Sequence, residues 1–169
     1  HYNRLLLQRN ALLKHFWKEG RFDAFQLEVF DDQLHELGTE LYDERVKFLD
    51  AYLPIFSEFY QLISGNQEEV GIVYESHLKH GSLSEQLKAA HQKDYRAQYT
   101  TVGIHKDDLE FTIGGHPMKK FGSQGQQKSF VIALRLAQFD FLKDLKQRKP
   151  ILLLDDIFDK LDDNRVAAL

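Results

Sequence analysis

Two segments, taken together, constrain this chain most. Phe121-Gly-Ser-Gln-Gly-Gln-Gln-Lys-Ser129 has the form of a glycine-bearing helix start suited to phosphate. Pro150-Ile-Leu-Leu-Leu-Asp-Asp156 has the form of a buried strand ending in two carboxylates, as a Mg²⁺-nucleotide site requires. The third part of such a site, a G-x-x-x-x-G-K-[ST] loop, is not found in these 169 residues. The chain starts at His1 and stops at Leu169 inside an apparent helix, so it reads as a fragment.

Four features of Gly122 to Lys128 favour an anion. Glycines allow backbone amides to approach closely. Ser123 and Gln126 have the spacing of a capping box. The helix dipole places positive potential at this end, and Lys128 adds a full charge one turn in. An ordinary capped helix after a loop would have the same letters. At the other segment, Ile151–Leu154 is apolar on both strand faces, as in a central parallel strand covered by helices. Asp155 and Asp156 follow at the usual ligand edge of such a sheet, where one can hold Mg²⁺ and the other can orient a water. A polar turn after a strand is the plain alternative.

The rest of the chain reads mainly as helix. Leu5, Leu6, Leu12, Leu13 and Phe16 predict a helix over 1–18 that stops at Gly20. Asp23 is placed to cap a second helix running toward Leu62, with Pro54 expected to bend or break it. Val70 to Tyr74 reads as a strand. Ser82 and Glu85 have capping-box spacing ahead of a helix to about Ala97. Tyr99–Val102 and Leu109–Ile113 read as strands around the loop 103–108, and Gly114-Gly115 as a hairpin turn. A long apolar helix is expected over Gln124 to Leu145. That helix spans roughly 30 Å, and a strand of about five residues returns only roughly 17 Å. The turn at its start and the carboxylates after it are therefore not expected on one nucleotide in one chain. A head-to-tail dimer would bring them together.

Charge is segregated. Residues 21–70 carry 12 acidic and 3 basic side chains, and residues 116–149 carry 8 basic and 2 acidic. The basic stretch is either a solvated face or a match for an anionic partner, nucleotide or nucleic acid. Within it, Lys119 and Lys120 are candidates for DNA phosphates, as are His105 and Lys106 in the 103–108 loop. The alternative for that loop is structural, with Asp107 and Asp108 bonding to backbone. His77 and His80 sit in a surface loop rather than in a zinc site. There is no cysteine, hence no disulfide or thiolate site, and no apolar run long enough for a membrane span. A cytoplasmic protein is the expectation.

Ser123-Gln-Gly-Gln126 resembles the signature motif of ABC-type ATPases of the SMC class. Ile151 to Asp156 resembles their Walker B strand, and Asp159-Lys-Leu-Asp162 is similar to their D-loop. Within that class, Tyr2-Asn-Arg-Leu-Leu, Gln8 to Lys14, Thr101 to Phe111 and Phe121 to Lys128 resemble the RecF family. The resemblance implies a mixed α/β, mainly helical fold. Residues 1–97 would be the helical second lobe, with a short strand near 70–74. Residues 98–169 would be the C-terminal part of an ATPase-like α/β sheet domain.

It also implies ATP with Mg²⁺, an ATP-dependent homodimer, and gapped, single- or double-stranded DNA as partner. RecO and RecR would act with it to load RecA in recombination, repair, replication restart and the SOS response. By motif position, Ser123 and Gly125 would touch the γ-phosphate held by a partner chain, with Gln124, Gln126 and Lys128 in the same cofactor-binding segment. Asp155 would serve the metal, Asp156 would be the catalytic carboxylate, and Asp162 would join the dimer contact. The intact protein would be a slow ATPase, whereas these residues alone, without the phosphate loop, would not turn over ATP. Ile104 and Lys106 depart from the proline and arginine more usual in that family. Two other readings are another SMC-like ATPase head and a non-enzymatic helical interaction module. The second of these predicts no phosphate loop encoded upstream.

Overall fold

The computed structural model describes residues 1–146 and 150–153. Helix α1 (Tyr2–Glu19) ends at Gly20, whose amide turns back to the Phe16 and Trp17 carbonyls. Helix α2 (Ala24–Ser64) starts at Asp23, which accepts the amides of Phe25 and Gln26 at 3.1 and 3.4 Å and so satisfies two end donors. Strand β1 (Val70–Glu75) and a 3₁₀ turn (His77–His80) precede α3 (Leu83–Ala97). A second 3₁₀ turn (Ile104–Lys106) leads into β2 (Asp108–Ile113), β3 (His116–Pro117), the single turn α4 (Met118–Phe121) and α5 (Gln124–Lys146). The sheet order is β1-β2-β3, with Thr112 opposite Pro117 and Ile113 opposite His116 in an antiparallel pair. Gly114 and Gly115, at φ of 53° and 76°, form the two-residue turn between them. The fold is mainly helical with this one small sheet, as expected.

Contacts divide the chain into two units, each built from two stretches of sequence. One comprises His1–Val46 and Tyr74–Asp108, the other Lys47–Val73 and the residues from Leu109 on. The single cut near residue 97 drawn from the sequence does not reproduce this division, because α2 runs through residue 46 without interruption and supplies core to both units.

The first unit has an apolar cluster of Tyr2, Leu34, Leu83, Leu87 and Ile104, and a second of Leu13, Phe16 and Leu27. It also buries an ionic group. Arg9, fully buried, donates to Asp31 and Asp94 at 2.7 Å each, and His91 donates to Asp31 at 2.6 Å. Such a buried pair is costly to break: removal of one partner strands the other charge, at about 3–5 kcal/mol. In the second unit Tyr52, Phe56, Tyr60 and Ile63 of α2 recur every three or four residues and meet Phe130, Ile132, Ala133 and Ala137 of α5. The Phe56 and Phe130 rings lie 4.7 Å apart, and the Tyr52 hydroxyl donates to the Leu134 carbonyl at 2.6 Å.

Four local expectations are corrected. Of the bend or break expected at Pro54, the break does not occur, since α2 continues to Ser64. Both Pro54 and Asp50, whose carbonyl loses its helical donor, are exposed, so the defect lies on the solvent side of the helix, where it costs least. Ser82 caps α3 by position only, with no side-chain bond; Gln86 instead donates to the carbonyls of His77 and Gly81. Residues 99–102 form a loop, not a strand, because the Thr100 and Thr101 amides are taken by the Asn10 and Asp94 side chains. Ile151–Leu153 is not paired as a strand, and Ile151 and Leu153 are each 88% exposed. A central strand needs a ladder on each side, and the described residues do not supply one there.

Candidate functional site

In the second unit, α5 begins as the spacing predicts. The Gln126 amide donates to Ser123 Oγ at 3.2 Å, and the Ser123 amide donates to Gln126 Oε1 at 2.7 Å, a reciprocal capping box. Gln127 Nε2 ties the turn to the Gly122 carbonyl at 2.8 Å, and Gln126 Nε2 reaches Glu68 Oε1 at 3.1 Å. Glu68 also accepts from the Tyr60 hydroxyl at 2.5 Å, so the turn is anchored to α2. A Cβ on Gly122 would stand 2.4 Å from the Met118 sulfur and 2.7 Å from the Met118 carbonyl oxygen. That close approach explains the glycine.

Ser123 and Gln124 are exposed, while Gly125 and Lys128 are half-buried. Helix geometry leaves the first-turn amides of Gln124 and Gly125 without an intrahelical acceptor. Ser123 Oγ accepts one bond and keeps its own O–H to donate. An exposed hydroxyl donor, two amides, a dipole terminus and the Lys128 ammonium within one turn suit a phosphate group.

In the first unit, the 99–108 loop is built from the inside. Asn10 Oδ1 accepts both the amide and the hydroxyl of Thr100 at 2.7 Å. Asp94 Oδ1 accepts the amide and hydroxyl of Thr101 at 2.8 and 2.6 Å. Arg9 donates to Thr100 Oγ1 at 2.9 Å. Gly103, at φ 132°, donates its amide to His77 Nδ1 at 3.1 Å, and a Cβ there would meet the Tyr2 hydroxyl at 2.6 Å.

Both nitrogens of His105 are engaged. The Thr100 carbonyl can only accept, so Nε2 carries the proton at 3.0 Å, and Nδ1 accepts from the Tyr2 hydroxyl at 3.2 Å. Burial holds the His105 imidazole below its ordinary pKa, against the pull of the Thr100 carbonyl. The same burial pushes the Tyr2 hydroxyl up to about 12. Asp107 accepts from Arg45 Nη1 at 2.7 Å and from the Tyr74 hydroxyl, and Arg45 also donates to the Ile104 carbonyl at 2.9 Å. Lys106 is exposed, with its ammonium 5.1 Å from the centre of the Tyr99 ring.

The structure thus gathers Ser123, Gln124, Gly125, Gln126 and Lys128 in one turn and sets His105 among internal partners. Lys119 and Lys120 lie exposed on α4, with Lys120 against the Phe121 ring. Asp155, Asp156 and Asp162 lie outside the described residues. Sequence reasoning missed Arg9, Asp31, Asp94 and Glu68, whose partners are 7 to 91 positions away and leave no local pattern.

No family model matches the chain. Two curated relatives match it along 99% of its length. The DNA replication and repair protein RecF of Flavobacterium johnsoniae is 52% identical over 168 residues, and that of Parabacteroides distasonis is 49% identical. The chain spans a little under half of each, 47% and 45%. Among solved structures, that of the recombination mediator protein RecF with ATP, in the RecFOR pathway, superposes with a TM-score of 0.83 at 33% identity. The match covers 97% of this chain and 46% of that one.

Proposed function

Because this chain is homologous along 99% of its length to the C-terminal part of RecF, we propose that it supplies the signature half of an ATP-dependent, DNA-binding recombination mediator. The observation that carries the reading is the exposed, doubly capped turn at Ser123, in a chain whose fold matches RecF with ATP. Ser123 Oγ–H and the amides of Gln124 and Gly125 donate to the γ-phosphate held by a second copy, with Gln126 keeping the turn in shape and Lys128 adding positive potential. These groups fit a triphosphate, since each is a donor or a cation. Asp155 serves Mg²⁺, Asp156 orients the attacking water, and Asp162 belongs to the contact between copies.

The remaining assignments rest on the homology. The intact protein is a slow ATPase of the cytoplasm that engages gapped DNA with RecO and RecR. Lys106, Lys119 and Lys120 contact DNA phosphates, and His105 shapes the loop that carries Lys106.

The test is Ser123→Arg in the full-length protein. Sedimentation with ATP is expected to show a monomer where the unaltered protein dimerises, with single-chain ATP affinity changed less than about threefold. Equal loss of ATP binding and of dimerisation would show that the turn does not act across a dimer.

A further inference from the structure

Unit one concentrates its exposed positive charge on two helices. On α1, Arg4, Lys14 and Lys18 are exposed against Glu19; on α3, Lys88, Lys93 and Arg96 are exposed against Glu85. The part of α2 in this unit is acidic on its exposed positions, with Asp32, Glu36, Glu40 and Asp43. Helices α1 and α3 pack on each other, so their outer faces form one basic surface.

Two large aromatic rings are left open on it. Trp17 is 48% exposed and leans on Tyr95 of α3, with ring centres 5.3 Å apart. Tyr99 is 47% exposed and lies beside the Lys106 ammonium. Neither ring sits on a loose segment. Tyr95 holds Trp17 from one side, and Tyr99 is followed directly by Thr100, which is 1% exposed and held by Asn10 and Arg9. Asn10, Lys14 and Trp17 follow each other on α1 at spacings of four and three, which puts Lys14 on the edge that faces α3.

We propose that this α1–α3 seam binds an unpaired nucleic-acid strand. Trp17 and Tyr99 are the stacking platforms for bases, and Lys14, Arg96 and Lys106 meet the phosphates between them. The chemistry decides between unpaired and duplex ligands. Duplex binding needs cations and no open rings, since paired bases present no free face. A single strand gains from each aromatic face, by about five- to a hundredfold per base. Rings already fixed by neighbouring side chains lose little freedom when a base lands on them. The proposal extends the DNA-binding reading above and rests on it for the identity of the polymer.

The test uses the full-length protein, an oligo(dT) strand and a blunt duplex of equal length, at two stated salt concentrations. Trp17 is the sole tryptophan of this chain, so the fluorescence that disappears in Trp17→Phe reports on this surface. Oligo(dT) is expected to quench that component saturably. Tyr99→Ala and Lys106→Glu are each expected to weaken oligo(dT) binding about tenfold, with Tyr99→Phe within twofold of the unaltered protein and duplex affinity changed less than twofold in Tyr99→Ala.

Unquenched Trp17 emission at saturation overturns the proposal, as does equal weakening of strand and duplex in Tyr99→Ala. Circular dichroism separates a misfolded variant from a non-binding one, and Tyr99→Phe keeps the test open if Tyr99→Ala misfolds. Ser123→Arg serves as the outside control. If it leaves quenching intact while dimerisation persists, the dimer reading fails and the seam stands.

Discussion

His105 shows how far a single side chain can be from its first appearance. A histidine beside a lysine in a polar loop reads as a nucleic-acid contact, yet both ring nitrogens are bonded inside the chain. Its depressed pKa fixes the sign of a pH effect. Below its ordinary value of 6.5 the unfolded chain binds a proton that the folded chain resists. Stability supplied by the neutral ring is therefore present above pH 6.5 and lost as pH falls through it. Urea denaturation between pH 7.5 and 5.5 is expected to show falling stability, with a shallower slope in His105→Asn. Tyr2 acts at the opposite end. Its hydroxyl, held up to about 12, costs the fold stability as pH rises from 10 toward that value. The Ser123–Gln126 pair was legible in the sequence because a capping box is a pattern of two residues three apart. The bonds of Arg9 to Asp31 and Asp94 were not, since they join residues 22 and 85 positions apart.

Among the elements, helices were the legible part. Apolar spacing of three and four marks α1 and α2, and the long apolar run after the glycine turn marks α5, to within a few residues, because burial of one face is what holds each of them; α3 was placed from capping-box spacing instead. Short apolar runs misled. Residues 99–102 have strand composition, but side-chain acceptors claim their amides first. Residues 151–153 have it too, but propensity does not make a strand without a neighbouring ladder. Pro54 erred in the other direction, since packing of Tyr52, Phe56 and Tyr60 on α5 outweighs a local helix defect. That defect is measurable. Proline in a helix interior is about 3 kcal/mol worse than alanine, and the flexibility alanine adds to the unfolded chain offsets about 0.4–1 kcal/mol of this. Pro54→Ala is expected to raise the unfolding free energy by about 2 kcal/mol in a urea titration, with an unchanged m-value.

At the scale of the molecule, the two units interleave along the sequence, so no single cut separates them. Truncation after residue 97 removes Thr100, Ile104 and His105 from the first unit and leaves Tyr52, Phe56 and Tyr60 of the second without α5. Residues 1–97 expressed alone are expected to bind a hydrophobic dye strongly and to lose near-ultraviolet dichroism. A chain of residues 1–46 joined by a short glycine-serine linker to 74–108 is expected to keep both helicity and a sharp thermal transition. The boundary was hidden because composition changes gradually where α2 passes between units, and a continuous helix has no loop to announce it. The same interleaving matters while the protein is being made. Val46 leaves the ribosome about 60 residues before Asp108, which completes its unit, a delay of roughly 3–12 s at bacterial elongation rates. During that interval Leu34 waits for Leu83, Leu87 and Ile104, which are not yet translated, so the nascent chain holds out an apolar surface that chaperones for unfolded segments can take, well before it meets any nucleotide.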